Sequence, residues 1–139
     1  DCGKDTADVF TDVEESVRFV KETGVDALAV AIGNLHGHYV HTPQLNIQRL
    51  IEIHDANQLP LVLHGGSGTS VEDFKACIHN GICKINVATA IQRGIMKRMN
   101  ERLAQNPDEG YIPLKQVMID ASREVVTEHI LLFESNNRV

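Results

Sequence analysis

Two histidines, His36 and His64, have the side-chain chemistry and the spacing that first suggest a functional site. Each follows an apolar stretch, and they lie 28 residues apart, close to the roughly 30 residues of one βαβ unit. Equivalent ends of neighbouring parallel strands would bring both imidazoles to one point, where they could share a metal ion. A catalytic zinc site usually takes three protein ligands. His36 and His64 are the two strong candidates, and the other histidines of the sequence are spares with expected surface or hydrogen-bonding roles. Hydrogen-bonded loop histidines are the alternative that this pattern leaves open.

The segment that begins at His64 is rich in glycine and reads His-Gly-Gly-Ser-Gly as far as Gly68. Gly65 and Gly66 leave backbone N–H groups sterically open beside the Ser67 hydroxyl, and such a concave set of donors suits a phosphate. A flexible turn is the other interpretation of the same residues. The segment therefore predicts a phosphate-binding loop at the end of a strand.

A second candidate anion site lies between the last predicted strand and a long helix, in four consecutive residues: Asn86, Val87, Ala88 and Thr89. The first N–H groups of a helix lack partners within the helix, and the helix dipole favours negative charge there. Ordinary N-capping by Thr89 is the alternative. Ligands of parallel α/β folds bind at the carboxyl edge of the sheet, and barrels bind phosphate between the loops after strands seven and eight. The segments that contain His36, His64 and Asn86 are therefore expected to lie together at the carboxyl edge of the sheet.

The elements that must position these residues are indicated by apolar periodicity, which alternates between helical and strand-like spacing as in parallel α/β folds. A capping box that starts at Thr11 opens the first helix, which Gly24 ends, and Ser70 opens the third. The predicted strands are residues 27–32, 61–63 and 82–87, the first of them buried on both faces. Further helices are predicted for residues 47–57, 70–81 and 114–133. A long helix that residues 86–89 open is predicted from the apolar stripe Ile91, Ile95, Met99 and Leu103, and Asn106-Pro107 ends it.

Three parallel strands make an incomplete structure. Such a sheet leaves unpaired backbone groups at both edges and uncovered apolar surface, so we expect other strands to complete it. An independent small α/β domain is the alternative.

Composition excludes several classes of partner. Asp and Glu outnumber Lys and Arg by 19 to 13, and the sequence has no cluster of basic residues, which argues against nucleic-acid and membrane-surface binding. No apolar stretch approaches the roughly 18 residues of a membrane span. The odd number of cysteines, Cys2, Cys77 and Cys83, predicts reduced thiols and a cytoplasmic protein.

Residues 24–37, 59–68 and 84–89 resemble the class II (zinc-dependent) fructose/tagatose-bisphosphate aldolases in order and spacing. The stretches end in Gly-Asn-Leu-His-Gly, in Leu-His-Gly-Gly-Ser-Gly and in Lys-Ile-Asn-Val-Ala-Thr, and residues 123–133 are similar to that family's last helix. The resemblance implies that residues 1–139 form the C-terminal part of one (β/α)8 TIM-barrel domain. They would supply about strands 6 to 8 with their helices, the N-terminal part being absent from this chain.

The resemblance also implies a role for each candidate residue. His36 and His64 would be two ligands of a catalytic Zn²⁺, with a monovalent cation as an optional second ion. The substrate and its phosphate would be bound by the residues that match the family's binding loops: Gly37, Gly65, Gly66, Ser67, Asn86, Val87, Ala88 and Thr89.

The implied reaction is zinc-dependent aldol cleavage and condensation of a tagatose or fructose 1,6-bisphosphate, giving dihydroxyacetone phosphate and glyceraldehyde 3-phosphate. In that family an Asp-His pair supplies the acid/base and the third zinc ligand, and no Asp-His-Gly occurs here. No catalytic acid/base is therefore expected in this chain, and the isolated chain is expected to be inactive. The expected partners are the phosphorylated ketose, the N-terminal half of the same barrel and further copies in a homo-oligomer.

Other functions are compatible with the same residues. A non-catalytic sugar-phosphate-binding or assembly subunit derived from the aldolase barrel would keep the phosphate loops but would need neither His36 nor His64. A metal-independent phosphate-binding barrel enzyme, such as an isomerase or epimerase, would contain no metal. A free-standing interaction module would be a folded monomer without a partner.

Overall fold

A computed structural model describes residues 10–34, 44–66 and 68–137 of the chain. Its contacts form two compact units, the first ending at Asn86 and the second beginning at Val87, and each unit is described by itself. The first unit contains α1 (Val13–Thr23), β1 (Leu28–Val30), α2 (Ile47–Asn57), β2 (Leu61–Leu63), α3 (Val71–His79) and β3 (Ile82–Ile85); the second contains α4 (Thr89–Gln105) and α5 (Tyr111–Leu132).

The first unit is built on a parallel sheet with strand order β1-β2-β3, which confirms the predicted α/β class and its three parallel strands. Leu28 lies opposite Leu61, and Leu61 lies opposite Ile82. The order is sequential because each strand is followed by a helix that returns the chain to the start of the next strand. All three strands therefore end at the same edge.

Two strands are shorter than the periodicity predicted. β1 ends at Val30 because the backbone amide of Ile32 donates to the side-chain Oδ1 of Asn34, at 2.8 Å, rather than to a neighbouring strand. Ile32 forms an isolated antiparallel bridge with Phe10 instead. β3 ends at Ile85, although the Asn86 amide still donates to the Leu63 carbonyl at 3.0 Å.

One face of the sheet is covered and the other is open in the described part of the chain. Residues two apart share a face of a strand, and Leu28, Val30, Leu61 and Leu63 are buried against helices that contribute side chains such as Leu50, Ile53 and Phe74. On the opposite face, Ala29 and Lys84 are exposed on either side of Val62. The prediction that β1 is buried on both faces is therefore wrong for these residues, since no described element covers Ala29.

Side-chain caps start the three helices of the first unit. The Ser70 Oγ accepts from the Asp73 amide at 3.0 Å and donates to the Asp73 carboxylate at 2.8 Å, which confirms the predicted start of α3. At α1 the cap is Asp12, not Thr11, and it accepts from the Glu15 amide. The Thr11 hydroxyl accepts instead from the amide of Ala31 at 2.9 Å, so a long-range bond to the end of β1 displaces the expected local cap.

The second unit consists of α4 and α5, which pack closely. A Cβ at Gly94 of α4 would lie 2.5 Å from Val125 Cγ2 of α5, and Arg98 donates to Glu124 at 2.8 Å. α5 begins at Tyr111 rather than at the predicted Leu114, because proline is tolerated in the first helical turn, where its missing N–H would have no partner in the helix.

Much of the surface of α5 is apolar. Only Ala121 is buried, whereas several large apolar side chains are exposed: Tyr111, Ile112, Met118, Ile119, Val126, Ile130 and Leu131. None of the helices within residues 10–34, 44–66 and 68–137 combines the length and the apolar character needed to cross a membrane.

The two cysteines of the described chain, Cys77 and Cys83, are both free thiols. Burial, with a smaller contribution from the nearby Asp73 carboxylate, raises the pKa of the Cys77 thiol to about 11. Cys77 is therefore protonated at neutral pH and acts as a small apolar core residue.

We predict that Gly81→Ala destabilises the protein more than Gly24→Ala does. Both glycines have positive φ, 106° and 65°, so alanine strains either backbone by about 1–2 kcal/mol. A Cβ at position 81 would also lie 2.3 Å from the His54 ring, whereas one at position 24 has no atom within 4 Å, and such overpacking adds about 1–3 kcal/mol. Urea unfolding measures both losses. Equal losses, or no recovery when His54→Ala is added to Gly81→Ala, would contradict this packing.

Candidate functional site

The predicted site residues fall into three groups. His64, Gly65, Gly66 and Asn86 belong to the first unit, at the carboxyl ends of β2 and β3. Val87, Ala88 and Thr89 belong to the second unit, at the start of α4. His36, Gly37 and Ser67 lie outside the described residues, so their roles stay predictions.

The first unit brings His64 and Asn86 together. The Asn86 Nδ2 lies 3.2 Å from His64 Nε2 and 3.4 Å from Nδ1, so the amide can donate to an unprotonated ring nitrogen. The two residues immediately follow neighbouring parallel strands, and the bond from the Asn86 amide to Leu63 fixes the end of β3 beside β2. The expectation that strand-end residues converge is confirmed for this pair.

The Asn86 amide also has a partner on its other side. Its Oδ1 accepts from the Nζ of Lys84 at 2.5 Å. Lys84 precedes Asn86 by two residues and projects from the same open face of the sheet. The Asn86 side chain thus bridges an ammonium group and an imidazole.

Asn34 is a residue that the sequence reasoning did not assign to the site. It is buried, its Oδ1 accepts from the Ile32 amide, and its Nδ2 donates at 2.8 Å to the carbonyl of His64. A side-chain amide offers both a donor and an acceptor, which an ionised carboxylate of the same size does not. Asn34 therefore fastens the end of β1 to the residue that carries the candidate imidazole, and an Asn directly after a buried strand and a Gly was the signal available in the sequence.

The glycines after His64 have different roles. Gly65 has φ 66°, a left-handed conformation that favours glycine. At Gly66 a Cβ would lie 3.0 Å from the Phe74 ring and 3.4 Å from Ile85 Cγ2. The Gly66 carbonyl accepts from the Thr69 amide at 3.3 Å. Packing beneath the loop therefore requires glycine at position 66. This requirement is separate from the predicted binding of phosphate.

The start of α4, like that of α5, has no side-chain cap. Its N-cap is Ala88, which has no side-chain oxygen, and Thr89 is the first helical residue. The alternative that Thr89 is an ordinary N-cap is therefore wrong. Side chains cap α1, α2 and α3 through Asp12, Asn46 and Ser70.

The chemistry of the described residues fits one ligand position of a metal site. His64 contributes an imidazole at the end of β2, and an imidazole nitrogen is a common ligand of zinc. Within residues 10–34, 44–66 and 68–137, no group of three His, Cys, Asp or Glu is close enough to hold a metal ion. The second candidate ligand, His36, lies outside these ranges.

The second unit contains a groove of about 540 Å³ between α4 and α5. Its basic side chains have acidic partners: Arg98 contacts Glu101 and Glu124, and Arg123 contacts Asp120. The groove is therefore a surface ion-pair network, and it contains none of the predicted site residues.

Asn34→Asp is predicted to destabilise the protein. The second carboxylate oxygen would face the His64 carbonyl, so a buried hydrogen bond is replaced by two opposed acceptors, at about 2–3 kcal/mol. Asn100→Asp makes the same chemical change on the exposed surface of α4 and should change stability by less than about 0.5 kcal/mol. Urea unfolding of the two variants compares them, and similar losses would argue against the bond between strand ends.

Gly66→Ala is also predicted to destabilise, by about 1–3 kcal/mol, because a new methyl group would press on the Phe74 ring. Phe74→Leu removes the ring atoms that a Cβ would meet. The double variant should therefore lose less than the sum of the single losses. Strictly additive losses of stability in thermal or urea unfolding would show that the Phe74 ring is not what excludes a side chain at position 66.

Comparison with known proteins gives consistent matches. A family model for class-II fructose-bisphosphate aldolase matches residues 1–138. YdjI of Escherichia coli (strain K12) is 41% identical over 129 residues, which cover 93% of this chain and 45% of that protein.

Solved structures agree with the sequence matches. The structure of the YdjI aldolase from Escherichia coli K12 superposes with a TM-score of 0.84 at 40% identity, covering 93% of this chain and 47% of that one. A provisionally assigned fructose-1,6-biphosphate aldolase from Coccidioides immitis gives a TM-score of 0.83 at 32% identity, covering 93% and 45%. The chain spans about half the length of the relatives it matches.

Proposed function

The chain belongs to the class-II fructose-bisphosphate aldolase family, and from that premise we propose that it is part of a zinc-dependent aldolase. The substrate would be a ketose 1,6-bisphosphate, of tagatose or fructose, cleaved to dihydroxyacetone phosphate and glyceraldehyde 3-phosphate. The observation that carries the proposal is the contact of His64 with Asn86 at the carboxyl edge of the sheet. In parallel α/β folds this edge binds ligands.

We place residues 1–139 in about strands 6 to 8 of a (β/α)8 barrel. Three parallel strands with helices on one face and an open opposite face support this placement, since the inner face of a barrel is covered by its other strands. The N-terminal half of the barrel would be the partner that completes the sheet. The length of the relatives, about twice that of this chain, supports the same division.

The metal would be held by His64 together with His36 and a third histidine from the other half. When bound, zinc supplies Lewis-acid stabilisation of the negative charge that develops on the substrate oxygens. A monovalent cation as a second ion stays a proposal.

The described residues would bind the substrate and orient the groups that contact it. His64 presents an imidazole whose position is fixed from two sides, by the bond of its carbonyl to Asn34 and by the contact of its ring with Asn86. Oriented groups of this kind reduce the reorganisation that a reaction would otherwise require. The proton-transferring acid/base is proposed for the half of the barrel that this chain lacks.

The phosphate would be bound by glycine and helix-start N–H groups. In the first unit these are proposed for Gly65 and Gly66, and in the second unit for Val87, Ala88 and Thr89, where the cap residue Ala88 offers no competing side-chain oxygen. Gly37 and Ser67 complete the proposed set.

Exposed apolar side chains on α5, of which Ile112 is 72% exposed, are the surface proposed for a homo-oligomer. The free thiols Cys77 and Cys83 support a cytoplasmic setting.

The natural protein that contains this chain is predicted to bind zinc and to release dihydroxyacetone phosphate from at least one of the two bisphosphates, as a coupled enzyme assay measures. His64→Ala should lower both zinc affinity and kcat/KM by more than about 100-fold, because a ligand matters at least as much as the groups behind it. His79→Gln, on the exposed end of α3, removes an imidazole away from the strand ends and should leave both unchanged.

Three outcomes would contradict parts of this function. Full zinc content and activity in His64→Ala would remove His64 from the site. Binding of a sugar phosphate without turnover by the zinc-loaded protein would favour the non-catalytic binding subunit. Cleavage by the isolated 139-residue chain would show that the acid/base lies within it.

A further inference from the structure

Lys84 places a positive charge on the open face of the sheet. It pairs in register with Val62, which pairs in turn with Ala29, so the three side chains form one row across that face. Ala29 and Lys84 are exposed, whereas Val62 between them is buried. The row is therefore apolar except for one ammonium group.

The charge of Lys84 is not neutralised within residues 10–34, 44–66 and 68–137. Its Nζ lies 2.5 Å from Asn86 Oδ1, but an amide is neutral and accepts one of the three N–H groups of an ammonium. None of the carboxylates in those ranges forms an ion pair with it. In the described part of the chain, Lys84 thus depends on water for the solvation of its charge.

Water would leave this face if the three strands belong to a barrel. The interior of a (β/α)8 barrel is a packed core of side-chain layers and not a channel. Lys84 lies two residues before Asn86, which follows β3, so its row lies within the sheet and not at the rim. A lysine is almost never buried without an opposite charge, because an ion loses much of its solvation inside a protein.

We propose that the N-terminal half of the barrel places the carboxylate of an Asp or Glu against Lys84, so that an ion pair inside the barrel joins the two halves. This inference rests on the barrel placement within the proposed function, but it needs neither zinc nor a particular bisphosphate. A carboxylate neutralises the ammonium and accepts the N–H groups that Asn86 does not take.

A phosphate group of the substrate is the other anion that could meet Lys84. It would be present only while substrate is bound, whereas the folded barrel encloses Lys84 at all times. A carboxylate that belongs to the protein therefore fits the position better. It would also select the strand that lies opposite β3, because an apolar residue there would leave the ammonium unpaired.

The first experiment is urea unfolding of the natural protein that contains this chain. Lys84→Met removes the charge and leaves the carboxylate buried and unpaired, so the equilibrium constant for unfolding should rise by about 100-fold or more. Lys84→Arg keeps the charge and the donors and should recover most of that loss. Lys97→Met, on the exposed surface of α4, is the matched control and should change the constant by less than about threefold.

The sign of the Lys84→Met effect is informative. Without an opposing carboxylate, methionine would remove a charge that has no ionic partner, and stability would stay the same or rise. Either of these results would overturn the proposal. So would recovery by neither arginine nor a return to lysine.

Two measurements on the unaltered natural protein keep the test open if Lys84→Met does not fold. Reductive methylation read by mass spectrometry should modify Lys21 and Lys97 but leave Lys84 unmodified, and methylation of Lys84 as fast as Lys97 would show that the face is open. A crystal structure of the same protein should place a carboxylate oxygen within about 4 Å of the Lys84 Nζ. A packed interior without one would overturn the proposal.

The two proposals fail in different ways. If the natural protein binds no zinc and cleaves neither bisphosphate, the aldolase function fails, while labelling and unfolding still report on the ion pair. If the protein is an active aldolase in which Lys84→Met keeps full stability, only the ion pair fails. A higher KM for the bisphosphate in that stable variant would identify the substrate phosphate as the anion and would likewise overturn the carboxylate.

Discussion

The parallel register of the three strands is the constraint on which the rest of the first unit depends. Leu28 opposite Leu61, and Leu61 opposite Ile82, let all three strands end at one edge. Because side chains alternate along a strand, the same register places His64 and Asn86 on one side of the sheet and the apolar core on the other. A slip by one residue in either pairing would turn the polar side chains toward the helices.

How much of the fold could be predicted depends on whether the deciding partner was local. The start of α3 was predictable because Ser70 and Asp73 lie within one helical turn. The start of α1 was not, because Thr11 bonds to Ala31, 20 residues away. The end of β1 was missed for a different reason: the Asn34 side chain, although only two residues away, takes the Ile32 amide that the periodicity assigned to the strand.

The candidate site was predictable in place but not in detail. A polar residue directly after each buried strand indicates the carboxyl edge, and the family resemblance named the residues there. Neither could show that Gly66 is needed beneath Phe74 or that Lys84 reaches the Asn86 oxygen. Both facts depend on which face each side chain occupies, and the register shift between β2 and β3 alters that assignment without any signal in the sequence.

The exposed apolar side chains of α5 have a consequence for the life of the protein in a cell. Chaperones and proteases act on exposed apolar segments, and a helix with Tyr111, Ile112 and Ile119 at its surface offers them such a segment. A partner surface that covered this segment would protect the chain from both. The abundance of such a chain would then depend on the rate of assembly as well as on the stability of the fold.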